Sequence, residues 1–142
     1  MADTVVTILL VDDDKVDTMA VRRAFQALKF SNPVIEVRNG IQALERLRGG
    51  EGQEKLRWPY LVLLDLAMPR MGGFELLEIM RDDPELRRVP VFVMSRSAET
   101  EDRLRAYDMN IAGFIPKQAP SQSFLKAAGM LQHFVRVNEF PE

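Results

Sequence analysis

The chain has 142 residues, 46% of them hydrophobic and 28% charged, which is the size and make-up of one globular domain with a single core. It holds no cysteine, so disulfide frameworks, thiol nucleophiles and Cys-rich metal sites are excluded and a reducing compartment is expected. The formal charge of -2 offers no basic face to nucleic acid and no apolar run is long enough to span a bilayer, so the expectation is a soluble, cytoplasmic protein without nucleic-acid or membrane partners.

Val5 to Val11 (VVTILLV) is apolar and rich in β-branched residues, which predicts a first strand, and it runs into Asp12, Asp13 and Asp14. Asp14 stands where the N-cap of a following helix belongs, with Asp17 behind it and Ala20, Ala24 and Leu28 as the apolar spacing. Pro33 to Val37 predicts a second strand. Asn39 then caps a helix with Ile41, Leu44 and Leu47 on its inner face, stopped by Gly49 and Gly50. The polar connection from Glu51 to Trp58 is long for an α/β protein.

Tyr60 to Leu64 (YLVLL) is an unbroken apolar run between Pro59 and Pro69, the pattern of a central parallel strand buried on both faces, and Asp65 closes it. Pro69, Gly72 and Gly73 turn the chain into a helix carrying Phe74, Leu77 and Met80 that ends near Pro84. Val89 to Met94 predicts a fourth strand, terminated by Ser95. The helical stretch from Ala98 to Met109 is weakly amphipathic, with Leu104 as its main anchor, and should dock least firmly. Ala112 to Ile115 predicts a fifth strand, and Pro116 at its end marks a sheet edge, with Lys117 following. A last helix presents Phe124, Ala128, Leu131 and Val135 as a stripe. Met19, Met80 and Met130 read as core filler, and His133 as a surface or interface residue.

Strands alternating with helices argue an α/β fold, a single parallel sheet with helices on both faces. Right-handed crossovers bring the carboxyl ends of the strands to one edge, and with them Asp12, Asp13, Asp65, Ser95 and Lys117. Capping explains one acid after the first strand but not two. Carboxylates about 4 Å apart repel by roughly 4 kcal/mol at an effective dielectric near 20, so three in one crevice call for a cation, and an all-oxygen donor set suits Mg²⁺. With the metal in place, Asp65 can attack a phosphoryl group as a carboxylate nucleophile, while Lys117 and the Ser95 hydroxyl address its equatorial oxygens.

These residues resemble the receiver domains of two-component response regulators over nearly the whole chain. The acidic pair, Asp65-Leu-Ala-Met-Pro69, Ser95 and Lys117 carry the resemblance. It implies a doubly wound, flavodoxin-like sheet of five strands in the order 2-1-3-4-5. It also implies that Asp65 accepts phosphate from a sensor histidine kinase, that Asp12, Asp13, Asp65 and the carbonyl of Ala67 hold Mg²⁺, and that Phe114 is an aromatic switch coupled to Ser95. The receiver would span residues 5–137, with 138–142 a tail and no effector domain. The long Glu51 to Trp58 connection and the tail resemble, more narrowly, the stand-alone regulators paired with bacterial phytochrome kinases. That resemblance implies a homodimer through the C-terminal region, for which Phe134, Val137 and Phe140 supply apolar contacts. The chain departs from the family pattern at Ala67, where many relatives are polar, at Arg96, where a small residue is usual, and at Gln118, where proline is common.

Two enzyme classes share the strand-end geometry and fit less well. A phosphohydrolase of the haloacid dehalogenase type needs a second Asp two residues after its nucleophile, where this chain has Ala67. A nucleotide or flavin binder would have its phosphate repelled by Asp12, Asp13 and Asp14. The alternative within the fold is an interaction scaffold that is never phosphorylated, a reading that Arg96 keeps open.

Overall fold

The structure is a computed structural model that describes residues 5–50, 52, 54–66, 71–95, 100–116, 129, 131, 133 and 134. Its strands are β1 (Thr7–Val11), β2 (Val34–Val37), β3 (Tyr60–Asp65), β4 (Val91–Ser95) and β5 (Gly113–Pro116), and its helices α1 (Lys15–Ala27), α2 (Gly40–Arg48), α3 (Gly73–Asp82) and α4 (Thr100–Asp108). All strand pairs are parallel, in the order β2-β1-β3-β4-β5. The expected α/β architecture and strand order are therefore observed. Gly129, Leu131, His133 and Phe134 belong to a further helical stretch, and the rest of the expected last helix, Phe124, Ala128, Met130 and Val135 included, lies outside the described residues.

Side-chain alternation along the strands divides the core into two layers. Leu9, Val11, Tyr60, Val62, Leu64, Val91 and Val93 face α2, α3 and α4. Ile8, Leu10, Leu61, Leu63, Phe92, Met94 and Ile115 face α1 and the C-terminal helical stretch, where Leu131 is buried and the Phe134 ring meets Phe92 edge-on at 5.1 Å. All of β3 is buried, as its uninterrupted apolar run requires. β5 and β2 are the edges, and Pro116 closes β5 where, among the described residues, no further strand needs its missing N–H.

Helix caps match the sequence, whereas several helix faces do not. Asp14 accepts the Val16 and Asp17 amides, Asn39 accepts that of Gln42, and Gly49 ends α2 with a positive φ of 80°. In α1 the buried apolar residues are Val21, Ala24 and Phe25, with Ala20 and Leu28 at the margin and Met19 exposed rather than filling the core. In α2 the inner face is Gly40, Ala43 and Leu47, while Ile41 is 45% exposed. On that inner face Gly40 packs against Met71 so closely that a Cβ would lie 2.6 Å from the Met71 Cγ. In α4, Leu104 is 59% exposed and Ala106 is the buried residue, so Leu104 is not the anchor. Two of its arginines also meet aromatic rings and an acid. The Arg103 guanidinium lies 5.4 Å from the Phe114 ring centroid, that of Arg105 lies 4.1 Å from the Phe74 centroid, and Arg105 also pairs with Glu78 at 3.3 Å.

Candidate functional site

The sheet order reverses direction between β1 and β3, and the crevice beyond their carboxyl ends is where open α/β sheets bind ligands. Register places the acids there. Val11 of β1 pairs with Leu64 of β3, so the next residue of each strand, Asp12 and Asp65, arrive side by side. The Asp12 amide donates to the Val37 carbonyl at 3.0 Å, which carries the β1 backbone one residue past its last paired position before the chain turns. The Asp14 amide then donates to the Asp12 carboxylate at 2.9 Å, and Asp14 itself is committed to capping α1.

Asp12 and Asp65 are 2% and 4% exposed, while Asp13 stands at the mouth in solvent. One oxygen of each of the three carboxylates lies within 4.8 Å of the other two. Oxygens around an octahedral Mg²⁺ stand roughly 3 to 4 Å apart, so this donor set matches a small hard cation after slight contraction. Ser95 ends β4, next to β3, and is buried at 3% exposure. It follows the parity of Val91 and Val93, the face that also carries the half-buried Phe114. Two expected site residues, Lys117 and Ala67, lie outside the described residues, as do Arg96 and Gln118.

Two contributors were not singled out from the sequence. Gly73, read only as part of a turn, starts α3 directly against the end of β3, where a Cβ would stand 2.5 Å from the Asp65 carbonyl oxygen and 2.6 Å from the Leu66 Cα. Its amide donates to the Leu66 carbonyl at 3.1 Å, so the approach is also a hydrogen bond. A pair of glycines in a turn is the sequence trace of such an approach, but it does not say which of the two is indispensable. Arg103, over Phe114, left no trace beyond a charged position on a weak helix.

A parallel sheet in this order, with an acidic crevice at its switch point, defines the flavodoxin-like class of α/β proteins. Within that class the chain belongs to the response regulator receiver domain family, which matches residues 8–128. It is similar to the probable methanogenesis regulatory protein FilR2 of Methanothrix harundinacea (strain 6Ac), at 36% identity over 110 residues, 78% of this chain and 70% of that protein. It is also similar to response regulator Rcp1 of Synechocystis sp. (strain ATCC 27184 / PCC 6803 / Kazusa), at 28% identity over 127 residues, 89% of this chain and 86% of that one. A crystal structure of Mn²⁺-bound Rcp1 has a TM-score of 0.84 and covers 96% of this chain and 99% of that one at 28% identity. The phosphorylated cyanobacterial phytochrome response regulator RcpA has a TM-score of 0.87 at 29% identity, covering 98% of this chain and all of that one (100%). Among the described residues, no helix is long and apolar enough to cross a membrane.

Proposed function

We propose that this receiver domain takes a phosphoryl group on Asp65 from the phosphohistidine of a sensor histidine kinase, in a reaction that needs Mg²⁺, and signals through altered protein contacts. The observation that carries the reading is the convergence of Asp12, Asp13 and Asp65 within 4.8 Å beside a buried Ser95. Asp12 and Asp13, with Asp65 and the Ala67 carbonyl, would hold the cation. When bound, it neutralises the carboxylates and the oxygens of the incoming phosphoryl group. An Asp65 oxygen attacks phosphorus, the phosphorus–nitrogen bond of the donor breaks, and the departing imidazole takes up a proton. The Ser95 hydroxyl donates to one phosphoryl oxygen and Lys117 offsets the charge of another. Attack by water on the same phosphorus releases inorganic phosphate and restores the carboxylate, so the signal erases itself.

Rcp1 and RcpA, the second a phytochrome response regulator, support a bacterial phytochrome as the kinase partner. Phe114 serves as the aromatic that follows Ser95 on phosphorylation, and the C-terminal region pairs two copies of the chain. Incubation with Mg²⁺ and a small phosphodonor, followed by intact mass, tests the acceptor. One added phosphoryl group is expected on the parent and none on Asp65→Asn. Labelling that survives the substitution refutes the assignment, and no labelling of the parent favours a scaffold.

A further inference from the structure

Phe114 lies level with Val93 of β4, and Ser95 follows two residues along that strand on the same face. The two are therefore diagonal neighbours, about 8 Å apart between backbones at the usual strand rise and spacing. Their settings differ. Ser95 is buried, whereas Phe114 is half-buried and its ring lies beneath the guanidinium of Arg103, an exposed residue of α4, at 5.4 Å from the ring centroid. That distance is within the reach of a cation–π attraction. A ring that turns toward Ser95 passes from the surface to the interior and leaves this cation behind.

We propose that Arg103 is a positioning residue for the Ser95–Phe114 coupling: it holds the ring at the surface, and a phosphoryl group on Asp65 has to draw the ring away from it. The proposal rests on the reading that Phe114 follows Ser95 on phosphorylation. An exposed cation–π contact is worth about two- to fivefold in an equilibrium. A group that binds with the ring turned inward loses up to that factor in affinity, and removing the cation restores it. The contact can be removed without detaching the helix. Arg81 of α3 donates to the Met109 and Asn110 carbonyls at 2.8 and 3.1 Å, and Arg105 pairs with Glu78 of α3, so α4 keeps its links to α3 when Arg103 is replaced.

Beryllium fluoride with Mg²⁺ is the probe, as a mimic of the phosphoryl group on Asp65. Labelling the 8 phenylalanines with 4-fluorophenylalanine gives fluorine NMR signals, and that of Phe114 is the one missing from Phe114→Leu. In the parent the probe should bind saturably and shift the Phe114 signal. Arg103→Ala should move that signal part of the way without the probe and tighten probe binding about two- to fivefold, while Arg103→Lys, which keeps a cation, should tighten it less. In a Phe114→Leu background, Arg103→Ala should change the affinity by less than about 1.5-fold, and so should Arg105→Ala in the parent, which loosens α4 elsewhere. Tightening below about 1.5-fold in Arg103→Ala, or equal tightening in Arg105→Ala or in the Phe114→Leu background, overturns the role of Arg103 alone. A Phe114 signal that ignores the bound probe overturns the switch reading and this proposal with it, and a parent that does not bind the probe overturns the acceptor reading as well.

Discussion

Replacing Asp65 by Asn should make the metal-free protein more stable, even though the residue is 4% exposed and sits at the centre of the site. The reason is repulsion. Asp12 and Asp65 are both buried, with carboxylate oxygens no more than 4.8 Å apart, and two unit charges at that distance repel by about 3.5 kcal/mol at an effective dielectric near 20. Asp13, in solvent, adds about 1 kcal/mol before screening. An amide in place of the carboxylate loses about 1 kcal/mol of hydrogen bonding, so the net gain should be about 1–3 kcal/mol. For a domain of this size that is a rise of about 3–10 °C in Tm. Thermal unfolding in EDTA, followed by circular dichroism, reads it directly. Mg²⁺ should narrow the gap: at ten times the dissociation constant it stabilises the parent by about 1.4 kcal/mol and Asp65→Asn by much less. An Asp65→Asn protein no more stable than the parent in EDTA, with an equal Mg²⁺ response, would refute the account of the crevice as a set of mutually repelling acids awaiting a cation.

Gly73→Ala should cost about 1–2 kcal/mol, because its methyl group must displace the backbone at Asp65 and Leu66 against a helix-propensity gain of up to about 1 kcal/mol. Gly50→Ala, whose Cβ would meet Glu45 Cγ at an ordinary 3.7 Å, is the control, and equal urea midpoints for the two variants would contradict the close approach. Arg81→Lys should lose about 2 kcal/mol or more in the same assay, since the Arg81 guanidinium donates to the Met109, Arg87, Val89 and Asn110 carbonyls at 2.8 to 3.1 Å and an ammonium group cannot span that fork. Tyr60 has a folded-state pKa raised above 10.0, so its neutral form contributes stability that is complete below that pH and is lost as pH rises through the higher folded value. Tm should therefore fall more steeply above pH 10.0 in the parent than in Tyr60→Phe, and parallel alkaline profiles would show that burial of the phenol is not the cause.

Elements whose signal is local were legible in the chain itself. The YLVLL run, short and bounded by Pro59 and Pro69, fits a strand buried on both faces; Asp14 and Asn39 mark helix starts through hydrogen bonds made within a few residues, and Gly49 marks a helix end through its positive φ. The acids after β1 and at the end of β3 were likewise visible as charge where packing had no use for it. What the chain alone did not determine is anything that depends on which surfaces meet. Ile41 and Leu104 fit an apolar periodicity, but Gly40, Ala43 and Leu47 of α2 and Ala106 of α4 are the residues that meet the core, and Ile41 and Leu104 face solvent. The pairing of Val11 with Leu64 brings Asp12 level with Asp65, and a shift of one residue in that register would point the two carboxylates to opposite faces of the sheet. Periodicity is a property of one segment, whereas rotation and register are set by contacts between segments distant in sequence, so the residue types were written in the sequence and their convergence was decided by the sheet.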